Sequence, residues 1–208
     1  MQGAGSANAW EITRMKEKRE YVDERHKGSE RFYYACEKYE GNPQALAKIM
    51  RKLIREDLDY FDPYLTLHGM YCGTERKKDA ESILEEAYNR ALKKITGEKG
   101  EWPETMEWIY LENRHIIRTI LNKAISLWDK GENEEALDLL RKLLKTNPDE
   151  NIGARNYILA IRTGMTHAGF ENKFDKGGCY DSTLYDWFDK NHKKYPDEFG
   201  WWTEATKE

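Results

Sequence analysis

Residues 111–162 read LENRHIIRTILNKAISLWDKGENEEALDLLRKLLKTNPDENIGARNYILAIR. Ile117, Ile120, Leu121, Ala124, Leu127 and Trp128 recur at steps of three and four, which predicts an amphipathic helix. Ile116 and Ile125 widen its apolar stripe, so the helix is expected to have neighbours on two sides. Gly131 ends it, because glycine takes the left-handed conformation of a helix C-terminus at little cost. A second helix follows with Ala136, Leu137, Leu139, Leu140, Leu143 and Leu144 on its apolar face. Glu132, Glu134 and Glu135 stand at its start and Lys142 and Lys145 near its end, both favourable to the helix dipole. Asn147-Pro148-Asp149 closes it, since proline removes the next amide donor. The stretch is therefore a helical hairpin followed by the first helix of another.

Ala124, Gly131, Ala136, Leu140 and Pro148 resemble the small, large apolar and exit positions of the tetratricopeptide (TPR) repeat of ~34 residues. Trp108, Leu111-Glu112-Asn113-Arg114, the Leu127-Trp128-x-x-Gly131 turn and Asn147-Pro148-Asp149-x-Asn151-x-Gly153-x-Arg155 are similar to a set of bacterial TPR-like proteins. That resemblance implies an all-α array of antiparallel helical hairpins, about eight to ten helices in a right-handed superhelix. In such arrays the first helix of each repeat lines a concave groove. The resemblance places Arg118, Asn122, Arg155 and Arg162 on or near that side, where guanidinium forks suit an acidic peptide or a free C-terminus.

Outward from the hairpin, residues 63–95 read as a degenerate copy of it, with Ala80, Leu84 and Ala87 in the places of Ala136, Leu140 and Leu143. Upstream, Asn42-Pro43 opens a helix over 44–58, and Ser29 caps another over 30–39. Residues 9–26 are polar with helical spacing. The expected division is a flexible tail at 1–8, a repeat domain at 9–165, and an irregular connection plus capping helix and aromatic tail at 166–208. In that last part, residues 163–178 read as irregular because of Gly164, Gly169, Gly177 and Gly178. Asp181 or Ser182 caps a final helix ending before Pro196, and Phe199, Trp201 and Trp202 fold back as a cap.

Charged residues make up 35% of the 208 positions, yet the net charge is only -4, which argues against a dedicated nucleic-acid binder. Three scattered cysteines, Cys36, Cys72 and Cys179, fit reduced thiols and a cytoplasmic protein. Cys36 and Cys72 fall on apolar helix faces and are expected to be buried. No run has the length of a membrane span, and the N-terminus lacks the apolar core of a signal peptide. The five histidines, His26, His68, His115, His167 and His192, show no i,i+4 pairing, and there is no CxxC, nucleophile elbow or phosphate loop. No cofactor or metal is expected, and the chain reads as an adaptor for a protein or acidic peptide, not an enzyme. An apolar end of a short array also suits a homodimer. The rival readings are an enzyme with a site assembled near His167 and a nucleic-acid-binding helical repeat; converging catalytic groups or a salt-dependent shift with RNA would distinguish them.

Overall fold

The computed structural model describes residues 19–148 and 152–205. These residues form ten α-helices and no strand. They are α1 (Ser29–Lys38), α2 (Pro43–Glu56), α3 (Asp62–Cys72), α4 (Lys77–Thr96), α5 (Arg114–Asp129), α6 (Asn133–Thr146), α7 (Ala154–Arg162), α8 (His167–Phe174), α9 (Thr183–Asn191) and α10 (Pro196–Ala205). The protein is all-α. From α2 to α7 each helix packs on its neighbours in the chain. No helix among the described residues is long and apolar enough to cross a membrane.

The central hairpin forms for the reasons its spacing gives. Ile116, Ile117, Ile120, Ala124, Leu127 and Trp128 of α5 are buried against Ala136, Leu137, Leu140, Leu143 and Leu144 of α6. Each large side chain removed from water in this way contributes roughly 1.5–3 kcal/mol before entropy is subtracted. Gly131, at φ 79°, makes the turn. Its amide donates to the Trp128 carbonyl at 2.9 Å, and the Glu132 amide donates to the Leu127 carbonyl at 2.9 Å. This crossed pair is the Schellman arrangement, which satisfies two carbonyls at the end of α5. Ala80, Leu84 and Ala87 are buried along α4 in the same manner.

The same turn recurs after α7. Gly164 (φ 76°) donates to the Ile161 carbonyl and Met165 to the Ala160 carbonyl, both at 2.9 Å. Residues 163–178 are thus not an irregular connection throughout, for α8 lies inside them, follows α7 across a repeated turn and packs on α5. Thr166 caps α8 by accepting the Gly169 amide at 3.1 Å. Phe170 and Phe174, one turn apart, are its buried face. Two phenylalanines on eight residues carry too little periodicity to stand out among four glycines.

Residues 19–26 are extended, not helical. Their backbone is claimed by distant partners: Glu104 donates to the Arg19 carbonyl and Tyr21 donates to the Thr105 carbonyl, both at 2.9 Å. The rest of the expected helix, from residue 9 to 18, lies outside the described residues, as does the expected tail at 1–8. Pro196 does not simply end a helix. After α9 and a 3-10 turn it opens α10, where its missing amide costs nothing. Phe199 is buried, and the Trp202 indole donates to the Pro148 carbonyl at 2.9 Å, so α10 covers the α6–α7 pair.

Cys72 is exposed rather than buried, with its sulfur 3.6 Å from His68 Nε2 at the end of α3; Cys36 is half-buried, and all three thiols are free.

Candidate functional site

Asn113 is fully buried immediately before α5 and organises the surface around it. Its Nδ2 donates to the carbonyls of Tyr21 at 3.0 Å and Glu107 at 3.1 Å. Its Oδ1 accepts the Asp23 amide at 2.9 Å. The next residue, Arg114, donates from Nε to the Trp108 carbonyl at 3.0 Å and lies over the Trp108 ring. The Glu-Asn-Arg run therefore fastens the extended segment 19–23 and the 104–110 loop to the start of α5. Asn147 reaches the same loop by accepting the Trp108 amide at 3.4 Å. Asp149 and Asn151 lie outside the described residues.

This fastening brings Asp23, His26 and His115 together under the surface, each less than a tenth exposed. Asp23 Oδ2 accepts from His115 Nε2 at 2.9 Å and from His26 Nε2 at 3.2 Å. Asp23 Oδ1 faces the Lys94 ammonium at 3.0 Å and accepts the Glu24 amide at 2.8 Å. His26 Nδ1 faces Asp57 Oδ2 at 2.7 Å.

The partners fix the proton positions. The Phe61 amide donates to His115 Nδ1 at 3.0 Å, so that nitrogen is an acceptor and the proton is on Nε2. His115 is neutral, and burial pushes its pKa below the ordinary value despite the Asp23 hydrogen bond. Both nitrogens of His26 face carboxylates, so both are donors and the ring is an imidazolium. Burial alone would lower its pKa, but the hydrogen bonds to Asp23 and Asp57 outweigh burial and raise it. Burial likewise pushes the Asp23 carboxyl up, and hydrogen bonds from His115, His26 and Lys94 reverse this and hold it well below the usual carboxylate range. The positive His26 and Lys94 balance the negative Asp23 and Asp57, so the cluster is neutral and its hydrogen bonds are mutually satisfied.

Asp23, His26 and His115 converge closely enough to suggest a metal centre. The hydrogen bonds do not fit one. A metal on His115 Nε2 would move the proton to Nδ1, where it would meet the Phe61 amide hydrogen. The Lys94 ammonium would also stand beside the new cation. Millimolar zinc is accordingly expected to leave the thermal midpoint unchanged, whereas a micromolar site would add about 4 kcal/mol at a thousandfold excess over Kd. A clear upward shift in a melting scan would reverse this assignment. The same hydrogen bonds leave neither imidazole with a lone pair for a substrate proton, so the cluster is built to hold structure in place.

Above the cluster lies an open cleft of about 340 Å³. Arg25 and His26 come from the extended segment, Tyr33 from α1, Tyr60 from the α2–α3 connection, Leu111 from a 3-10 turn, and Arg114 and Arg118 from α5. Tyr33 is 60% exposed and Leu111 66% exposed, both unusually open for large side chains. Tyr60 is buried and stacks on His26 with ring centroids 5.0 Å apart. Arg25 pairs with Glu30 at 2.8 Å, and Arg118 pairs with Asp62 at 2.6 Å. Arg114 uses only Nε among the described residues, and its terminal nitrogens have no protein acceptor there.

The four residues expected to share one groove are divided. Arg118 lines this cleft. Asn122 donates to the Arg118 carbonyl at 2.8 Å and lines a separate hollow with His68 and Cys72. Arg155 stacks on Phe188 and Trp202. Arg162 lies over Tyr195 and pairs with Asp197 at 2.9 Å and with Glu198. Arg141 meets the same Glu198, so the carboxylate that these arginines hold belongs to α10. His167 bonds Asp129 at 2.9 Å and packs on Trp128, tying α8 to the end of α5. The Asp23–His26–His115 cluster gave no sequence signal, because Asp23 and His115 stand 92 positions apart.

No protein-family model, curated protein or solved structure matches this chain.

Proposed function

We propose that the protein is a cytoplasmic adaptor, a short TPR-like array of antiparallel hairpins that holds a peptide segment of a partner protein. The binding site is the cleft at the start of α5, with Arg114 as its cation beside the Arg118–Asp62 pair and Tyr33, Tyr60 and Leu111 as its apolar side; Glu24, Glu30 and Glu112 also line it. The observation that carries this reading is Arg114. Its guanidinium is oriented by the Trp108 carbonyl and ring, yet its terminal nitrogens have no acceptor among the described residues. A planar donor fork held in place beside two open apolar side chains matches an acidic residue next to a large apolar one. The free thiols support a reducing compartment. The recurrence of the Schellman turn after α5 and after α7 supports a repeat architecture.

The test is fluorescence anisotropy with rhodamine-labelled dodecapeptides that alternate Asp or Glu with Leu or Phe, against lysine-substituted controls. The acidic series is expected to bind and the controls are not. Arg114→Ala is expected to weaken binding roughly tenfold or more, the loss of one charge-assisted contact. Equal affinity of wild type and Arg114→Ala would remove the cleft as the site.

A further inference from the structure

The wall of the cleft formed by residues 24–28 is attached differently from the segment that precedes it. Residues 19–23 are held by backbone pairing with residues 104–105, by Asn113 and by Lys94. Residues 24–28 have no regular structure before α1 begins at Ser29. Their hydrogen-bonded tie across to the end of α2 is the His26–Asp57 bond, while buried Gly28 lies against Leu53 and Tyr60. We propose that this wall is a pH-dependent gate on the peptide cleft: it is fastened to the end of α2 while the His26 imidazolium bridges Asp23 to Asp57, and it loosens from Asp57, still held at Asp23, as His26 loses its proton. The gate rests on the cleft being the binding site.

The surroundings of the ring decide which bond is lost. Facing His26 are Asp23 from its own segment, Asp57 beyond α2, His115 from α5 and Tyr60 before α3. Lys94 of α4 compensates Asp23 from its other oxygen, and Asp62 accepts the Tyr60 hydroxyl at 3.3 Å. A neutral imidazole keeps one N–H, and its other nitrogen then presents a lone pair to a carboxylate. Asp23 is buried to 3% side-chain exposure and cannot be rehydrated, whereas Asp57 is 34% exposed and can turn to water. The Asp23 bond is therefore kept and the Asp57 bond breaks. Tyr60 stacks on the His26 ring, so the change reaches the apolar side of the cleft as well.

The direction follows from the raised proton affinity of His26 in the folded chain. The clamp is fully present below the ordinary imidazole value of 6.5 and is lost as pH rises through the folded value above it. Hydrogen exchange of the wild-type backbone, followed by mass spectrometry from pH 6.5 to 9 and corrected against an unstructured peptide of the same sequence, tests the gate without a ligand. The Ser29 amide, which donates to the His26 carbonyl at 3.1 Å, is expected to lose protection with rising pH while the Tyr21 and Asp23 amides keep theirs. Asp57→Ala is expected to expose the Ser29 amide already at pH 6.5. Protection independent of pH, or loss of both segments together, overturns the gate, as does full protection in Asp57→Ala. If that variant does not fold, the wild-type series decides alone.

The labelled acidic peptides, whose carboxylates stay ionised over this range, report on the cleft separately. Their affinity is expected to fall roughly tenfold between pH 6.5 and 9, the equivalent of one charge-assisted hydrogen bond. Affinity that is constant while residues 24–28 open overturns the gating. Peptides that bind at no pH, with residues 24–28 opening as expected, overturn the peptide reading of the cleft and leave the movable wall.

Discussion

Replacing Asp23 by alanine is expected to destabilise the fold by about 3–5 kcal/mol, because one partner is removed from a buried charged network and the others remain. His26 and Lys94 would keep their charges next to a void, and His115 would lose the acceptor of its Nε2 proton. Asp23→Asn should cost nearly as much, since the new amide directs hydrogens at groups that are themselves donors. Urea denaturation at pH 7 measures both, and a loss under about 1 kcal/mol would show that the cluster does not hold the segment to the body. Wild-type stability should also fall at both ends of the pH scale for separate reasons. The Asp23 carboxyl lies below its ordinary value of 3.8, so its contribution is present above that value and lost as pH falls. His26 is displaced upward, so its contribution disappears as pH rises.

The second large effect is expected at Phe170. Its ring is fully buried, with Tyr157 at 5.2 Å, Phe174 at 5.0 Å, Tyr180 at 5.6 Å and Trp128 at 6.1 Å between centroids. These neighbours come from α5, α7, α8 and the segment before α9, so one side chain joins the last hairpin to the central one. Phe170→Ala should cost about 3–5 kcal/mol through lost transfer energy and the cavity left behind. A denaturation midpoint close to wild type would mean that α8 is not part of the cooperative core.

The central hairpin was readable because its information is local. Ile120, Ala124, Leu127 and Trp128 meet Ala136, Leu140 and Leu143 within one short stretch of chain, and helical spacing marks both faces. Gly131 was legible for the same reason. Gly153, part of the same resemblance, is required by its φ of 76°, for a side chain there would meet its nearest neighbour at an ordinary 3.7 Å. The non-helical course of residues 19–26 was hidden, since their scattered apolar positions fit a helix and the groups that draw them elsewhere, among them Glu104, Thr105 and Asn113, lie far along the chain. The candidate site was hidden for the same cause. Arg118 was visible on its helix, but Arg114 matters through the Trp108 carbonyl, and Tyr33 and Leu111 meet the cleft only after α1 is placed beside α5. Arg155 and Arg162 read as groove residues for a partner's carboxylate, but their surroundings come from residues 188–202, further along the same chain.

The seating of α10 also bears on assembly. With Glu198 clasped by Arg141 and Arg162, and Phe199 sunk into the core, the α6–α7 surface is already taken. Hairpin arrays can otherwise add copies end upon end, and an unsealed terminus invites open-ended filaments. Here α10 occupies the α6–α7 face, so anything docking on that face would first have to displace it.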